Sequence, residues 1–305
     1  MVGFYEDIYN FLIDKGFEVT CGQCHGAVTL HVKDRVILPV SVTAGTPEAA
    51  VADSDMLFKT TDRIRSAGSY PLMITEDRWR KQKGMIQARL LAHLEVFRPV
   101  FARKCEVRKI DKMTADIFLE ANHSYGTAAC RYRYGLFIKG TDDLMAVAAF
   151  SNARKWQKEE KVICSYEWTR YASVPEVRVI GGMGKLLNAF IKDVDPDDIM
   201  SYADLEWSEG EVYGQLGFRL EGHKDPVLFE VDSQWRRFPV RASRPLWTAR
   251  PFSAAMPASC TSMASLCRRP RKPARWCMWR WMTGSWVIWL WRIPSSPTRP
   301  LPSAG

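Results

Sequence analysis

The sequence predicts a chain in three parts. A small α/β domain covers residues 1–104, and a larger α/β (α+β) domain over residues 105–232 carries a mixed, mostly antiparallel sheet flanked by helices. An irregular tail covers residues 233–305. Three observations support this division. Apolar spacing switches repeatedly between the periods of helix and strand over the first 232 residues. A glycine-rich turn at residues 179–184 joins a strand pattern to a strongly amphipathic helix pattern. Composition changes abruptly near residue 233. At 305 residues the chain is long enough to bury two cores of ordinary size.

The formal charge of +9 suggests nucleic acid until it is located. Residues 236–305 hold 12 Arg, one Lys and no acidic residue, so the preceding 235 residues carry 30 basic against 34 acidic groups. The basicity belongs to the tail, and the folded part is mildly acidic. Residues 233–305 also hold eight of the twelve Trp. Runs such as Arg268-Arg269-Pro270-Arg271 and the stretch 276–281 show neither structural period. The expectation is a disordered or frame-shifted extension, with a basic, aromatic nucleic-acid-binding arm as the functional alternative. The apolar stretch 276–293 is interrupted by Arg280, which argues against a membrane span. Residues 1–14 carry Glu6, Asp7 and Asp14 where a secretory leader would be apolar, so a cytoplasmic location with reduced thiols is expected.

In the first part, residues 4–13 read as a helix stopped at Gly16, and residues 17–20, 27–32 and 35–42 as short strands. Residues 54–66 then read as a helix, 71–75 as a strand and 76–97 as one long helix. Pro99 and residues 100–104 form the expected junction. In the second part strands are expected over 106–110, 135–139, 144–151 and 162–173, with a helix over 114–122. After the glycine turn come a helix, a strand over 199–203, a helix over 209–216 and strands near Phe218 and over 227–231.

The glycine turn bears on chemistry because free backbone N–H groups at a helix N-terminus, with the helix dipole, bind pyrophosphate. Gly181, Gly182, Met183, Gly184 and Lys185 fit that task; tight packing is the alternative use of the glycines. Lys185 is not followed by Ser or Thr, so this is not a Walker loop.

The order of strand 165–173, glycine loop, helix, strand 200–204, helix and Tyr213-Gly214-Gln215-Leu216-Gly217-Phe218 resembles the GNAT superfamily of acyl-CoA-dependent N-acyltransferases. The resemblance covers residues 105–232, although the loop lacks the basic residue that usually begins it. It implies that the loop holds the pyrophosphate of coenzyme A and that the next strand splays from its neighbour to admit the pantetheine arm. It also implies that Tyr213 is the general acid. Glu167-Trp168-Thr169-Arg170, Ser201-Tyr202-Ala203-Asp204, the loop Asn122-His123-Ser124-Tyr125-Gly126 and the Arg154 segment are further similar to the phage and mobile-element group that includes the Mom DNA-modification protein.

An amine attacking a thioester must lose a proton, so the site needs a base as well as an acid. Glu167, Asp204 and His123 are the candidates. Their plainer roles are an ion-pair partner of Arg170 for Glu167, a loop-fixing hydrogen bond for His123 and, for Tyr213, a packed aromatic. The expected cofactor is acetyl-CoA or another acyl-CoA, the acceptor an amine that includes nucleobases among its options, and DNA a possible partner. The rival expectation is a catalytically silent DNA-binding protein.

The first part resembles the very-short-patch-repair nuclease fold through residues 71–79 and the helix that follows. Where that fold carries metal-binding carboxylates, this chain reads Leu30-His31-Val32 and Leu38-Pro39-Val40-Ser41, so a degenerate DNA-binding or scaffolding domain without metal is expected. Cys21, Cys24 and His25 have the spacing of half a zinc site, but no second pair follows. His31 or Cys105 would have to be brought close, and a hairpin turn is the alternative.

Overall fold

The computed structural model describes residues 3–42, 47–158, 161–224, 227–239, 280–284 and 288–294. The N-terminal unit contains α1 (Phe4–Asp14), β1 (Thr20–Cys24), β2 (Ala27–Val32), β3 (Arg35–Val40), α2 (Pro47–Ser66), β4 (Tyr70–Thr75), α3 (Glu76–Lys81) and α4 (Lys83–His93). Its four strands lie in chain order, antiparallel except for the parallel pair β3–β4. Phe4, Ile8 and Leu12, four residues apart, put one face of α1 into the core.

Element bounds differ from expectation in several places. The first strand begins at Thr20, where residues 17–20 were expected to be extended. The long helix breaks at Gln82, whose φ of −124° and ψ of 35° leave the helical region, giving α3 and α4. Cys24 and Ala27 close a two-residue turn made by His25 (φ 48°) and Gly26 (φ 81°), the left-handed pair that matches the twist of a hairpin. Turn geometry therefore accounts for the Cys-x-x-Cys-His spacing. Among the described residues no group of three or more His, Cys, Asp or Glu is placed to hold a metal ion.

The second unit begins with β5 (Arg98–Phe101) and a 3-10 turn, Ala102–Lys104, followed by β6 (Cys105–Lys109), α5 (Lys112–Asn122), β7 (Tyr132–Ile138) and β8 (Leu144–Phe150). Then come β9 (Arg154–Lys158), β10 (Lys161–Ser173), β11 (Val177–Ile180), α6 (Gly182–Val194), β12 (Asp198–Asp204), α7 (Glu211–Gln215) and β13 (Arg219–Lys224). The last strands are β14 (Val227–Val231), β15 (Arg237–Pro239), β16 (Arg280–Gly284) and β17 (Ile288–Pro294).

The main sheet runs β13-β17-β12-β10-β8-β7-β6, with β9 folded back on β10. Only β10 and β12 pair in parallel, so the sheet is mixed and mostly antiparallel, with helices on its faces, as the sequence predicts. One face packs Tyr134, Phe150 and Trp168 against Leu187 and Phe190 of α6; the rings of Phe150 and Phe190 stack with centroids 3.9 Å apart. Alternation sends the intervening residues to the other face, where Ala115, Phe118 and Leu119 of α5 cover Val147, Ala149 and Ala172.

Within the stretch expected to be irregular, three described segments form strands: β15 and β16 each pair with β14, and β17 lies between β12 and β13, antiparallel to both. The Arg268–Arg271 run and most of the stretch 276–281 lie outside the described residues.

The junction is not a free linker. β5 pairs in parallel with β11, which leads into the glycine turn. The turn after β12 reaches into the N-terminal unit: Met73 N donates to the Glu206 carbonyl at 2.7 Å, and Trp207, 2% exposed, joins the core of Ile8, Trp79 and Leu94. Arg65 of α2 pairs with Glu209 at 2.8 Å, and buried Arg78 of α3 pairs with fully buried Glu206.

Candidate active site

β10 and β12 hold a parallel ladder only from Ser165↔Asp198 to Trp168↔Ser201. Beyond that point β10 bulges between Trp168 and Arg170 and continues with β8, whereas β12 goes on beside β17. The two strands therefore part at Trp168 and Ser201. Tyr213 of α7 reaches this fork: its hydroxyl lies 3.1 Å from Ser201 Oγ and 3.4 Å from the Tyr202 carbonyl, and Ser201 Oγ donates to the Trp168 carbonyl at 3.0 Å. Burial raises the pKa of the Tyr213 hydroxyl, an effect the Ser201 bond partly offsets, so it keeps its proton at neutral pH.

The glycine turn follows β11. Gly181 adopts φ 74°, and α6 starts with no side-chain cap, so its first-turn N–H groups have no acceptor within the helix. Lys185 ends that run, because its N–H donates to the Gly181 carbonyl at 3.0 Å. Its Nζ donates to the carbonyls of Ala102 at 2.8 Å and Cys105 at 2.5 Å, anchoring α6 to the 3-10 turn. Both groups are committed, which leaves Gly182, Met183 and Gly184 as the candidate anion-binding donors of the turn. Gly182 also serves packing: a Cβ there would meet Val179 Cγ1 at 2.9 Å and Leu136 Cδ2 at 3.3 Å.

A cavity of about 1570 Å³ opens at this turn, lined by Gly181 to Lys185, by Val212 and Leu216 of α7, and by residues of the N-terminal unit that include Arg35, Arg89 and His93. Glu167, Asp204, His123 and Tyr213 do not line it. Glu167 faces the α5 side of the sheet, where it sits 3.5 Å from Arg154, not from Arg170. Asp204 organises the turn that follows it: its Oδ1 accepts from Glu206 N at 3.1 Å and its carbonyl from Trp207 N and Ser208 N at 3.0 Å. His123 Nδ1 accepts from Tyr125 N at 3.1 Å, the loop-fixing bond. Burial, then Arg170, Arg89 and Arg78, push the His123 imidazole down to about 3, which makes it a weak base.

Asp204 and His123 thus each lie near Arg78, Tyr213 stands at the fork, and Glu167 lies one residue before it on the opposite face. The cationic side of the cavity was missed in the sequence. Arg35, Arg89, Arg103 and Arg178 come from four separate elements, and no local motif links them.

No protein-family model and no curated protein matches the chain. Several solved structures share a partial likeness with the chain. A conserved protein from Enterococcus faecalis, of unknown function and named a probable N-acyltransferase, is 14% identical over 42% of this chain and 35% of its own, with a TM-score of 0.31. Eis1 from Mycobacterium abscessus is 13% identical over 42% of this chain and 34% of its own, with a TM-score of 0.32. A mutant AtaT toxin, bound to the C-terminus of the antitoxin AtaR and to acetyl-CoA, is 12% identical over 38% of this chain and 84% of its own, with a TM-score of 0.26. The chain spans about a third of the length of the first two.

Proposed function

We propose that residues 105–232 form an acyl-CoA-dependent N-acyltransferase domain of the GNAT type. One observation carries this reading: the parallel strands β10 and β12 part at Trp168 and Ser201, with Tyr213 at the fork and an uncapped glycine turn opening on the neighbouring cavity. The N–H groups of Gly182, Met183 and Gly184 would take the pyrophosphate, since donors at a helix start stabilise anions. The gap between the strands would admit the pantetheine arm. Tyr213, protonated at neutral pH, would give its proton to the departing thiolate. Glu167 is the preferred base, directly or through water, because it flanks the fork and is not spent on capping a turn. Asp204 and His123 are better explained as seam and loop residues. The acyl group, the amine acceptor and any nucleobase or DNA substrate are open to direct assay.

Calorimetry of the full chain with coenzyme A tests the reading. Saturable binding in the micromolar range is expected, and no binding at millimolar ligand would overturn it. The basic cavity lining favours one rival, a catalytically silent DNA-binding protein. Salt-dependent DNA binding indifferent to coenzyme A would select that rival.

A further inference from the structure

The cavity has a second polar region besides the glycine turn. Arg35 of β3, Arg89 of α4 and Arg178 of β11 line it together with His93. Arg35 stacks on Tyr70 at 4.6 Å, Arg89 on Trp207 at 4.6 Å and Arg178 on Phe97 at 5.2 Å, so each guanidinium is held by an aromatic face. Arg89 also donates to Ser124 Oγ at 3.2 Å. Among the described residues neither Arg89 nor Arg178 has a carboxylate within 4 Å, and Arg35 has only exposed Asp34, at 3.5 Å. Two of the acidic residues lining the cavity are engaged elsewhere, Glu106 with Arg108 at 2.5 Å and Glu209 with Arg65 at 2.8 Å. The remaining two are Glu95 and Glu211. The field of the three arginines registers at His93, whose imidazole is pushed down to about 3 by burial and then by Arg89, Arg35 and Arg178.

We propose that Arg35, Arg89 and Arg178 form a phosphate subsite for a terminal phosphomonoester, separate from the pyrophosphate-binding glycine turn and built where the N-terminal unit closes the cavity. Planar, aromatic-supported guanidinium groups suit a dianion that accepts paired hydrogen bonds. The assignment deepens the acyl-CoA reading and rests on it for the ligand's identity, though not for its chemistry. Two sources carry such a group: the 3′-phosphate of coenzyme A, and a phosphate on the acceptor.

Inorganic phosphate is the probe, read through the imidazole NMR signals of the full chain, with a His93→Gln variant to assign the resonance. Phosphate is expected to shift the His93 imidazole resonances saturably at a pH of about 7.5, where the fold is intact and the probe is largely a dianion. Arg35→Gln and Arg178→Gln are expected to weaken that response about tenfold or more, the effect of losing a charge-assisted hydrogen bond. A His93 signal unmoved by tens of millimolar phosphate, or moved equally in the wild type and both variants, overturns the subsite. Calorimetry then identifies the source. If Arg178→Gln weakens coenzyme A but not dephospho-coenzyme A, the subsite takes the cofactor's 3′-phosphate. If it weakens neither while the phosphate response is still lost, the subsite takes the acceptor's phosphate. Failure of the wild type to bind coenzyme A would overturn the acyl-CoA reading and leave the phosphate result standing.

Discussion

Glu206→Gln is the sharpest test of how the two units are joined. Arg78 is 5% exposed and Glu206 0%, so the substitution leaves a guanidinium in the interior with its principal counter-charge gone. Breaking a buried pair from one side costs about 3–5 kcal/mol, because the surviving ion has lost its hydration and its partner. Asp204, 3.8 Å from the same nitrogen, retains part of the compensation, which places the expected loss near the lower end, about 3 kcal/mol. In a chain of this size that lowers Tm by roughly 6–12 °C. Urea unfolding followed by circular dichroism measures the loss without the ionic screening that guanidinium would add. Replacing both partners, Arg78→Met with Glu206→Leu, should recover most of the loss, since the only carboxylate then left without Arg78 is that of Asp204, which is partly exposed. A Glu206→Gln midpoint equal to the wild type, or a double variant weaker than the single one, would show that the seam does not rest on this pair.

Four further outcomes are expected. His93 and His123 are both held down to about 3, so each stays neutral in the fold where the unfolded chain charges it near 6.5. Their stabilising effect is complete above about pH 6.5 and is lost as pH falls toward 3, on the order of 1 kcal/mol per histidine for each unit below 6.5. The urea midpoint should therefore drop between pH 7.5 and 5.5, and a flat profile would refute the burial of both imidazoles. Tyr213→Phe keeps the ring beside Trp168 and Phe218 but removes the proton, so kcat for acyl transfer should fall by about 10²-fold or more with coenzyme A affinity unchanged in calorimetry. Gly182→Val should cost about 1–3 kcal/mol by overpacking against Val179 and Leu136. Gly184→Ala, whose Cβ meets only Leu216 Cδ2 at 3.3 Å, should be milder in thermal unfolding and is the cleaner probe of phosphate binding. Finally, the composition of the tail suggests that residues after Ser233 are dispensable, whereas the two ladders of β17 predict that a chain ending there exposes an edge of β12 and loses cooperativity; scanning calorimetry of the shortened chain decides between them.

Most of the second unit was legible because its signals are local. The apolar face of α6 repeats at helical spacing, Asp111 caps α5 by accepting from Thr114 N at 2.7 Å, and the glycine turn marks its own φ requirement. What the sequence hid depends on distant pairing. β11 is a strand only because β5 lies beside it, and Gln82 interrupts a pattern that reads as one helix. Lys185 resembles a phosphate ligand until Ala102 and Cys105 present their carbonyls to it. The arginines of the cavity are scattered from residue 35 to residue 178 and share no period.

Trp207 sets an order in time. A ribosome releases the N-terminal unit first, yet the core of that unit is completed by a side chain that is made only after β12, more than a hundred residues later. Until then the pocket between Ile8, Trp79 and Leu94 stands open, and Met73 N lacks the Glu206 carbonyl as its acceptor. A nascent chain halted before Trp207 should thus present an apolar surface for chaperones to bind, and synthesis of that single turn would end the exposure of this core.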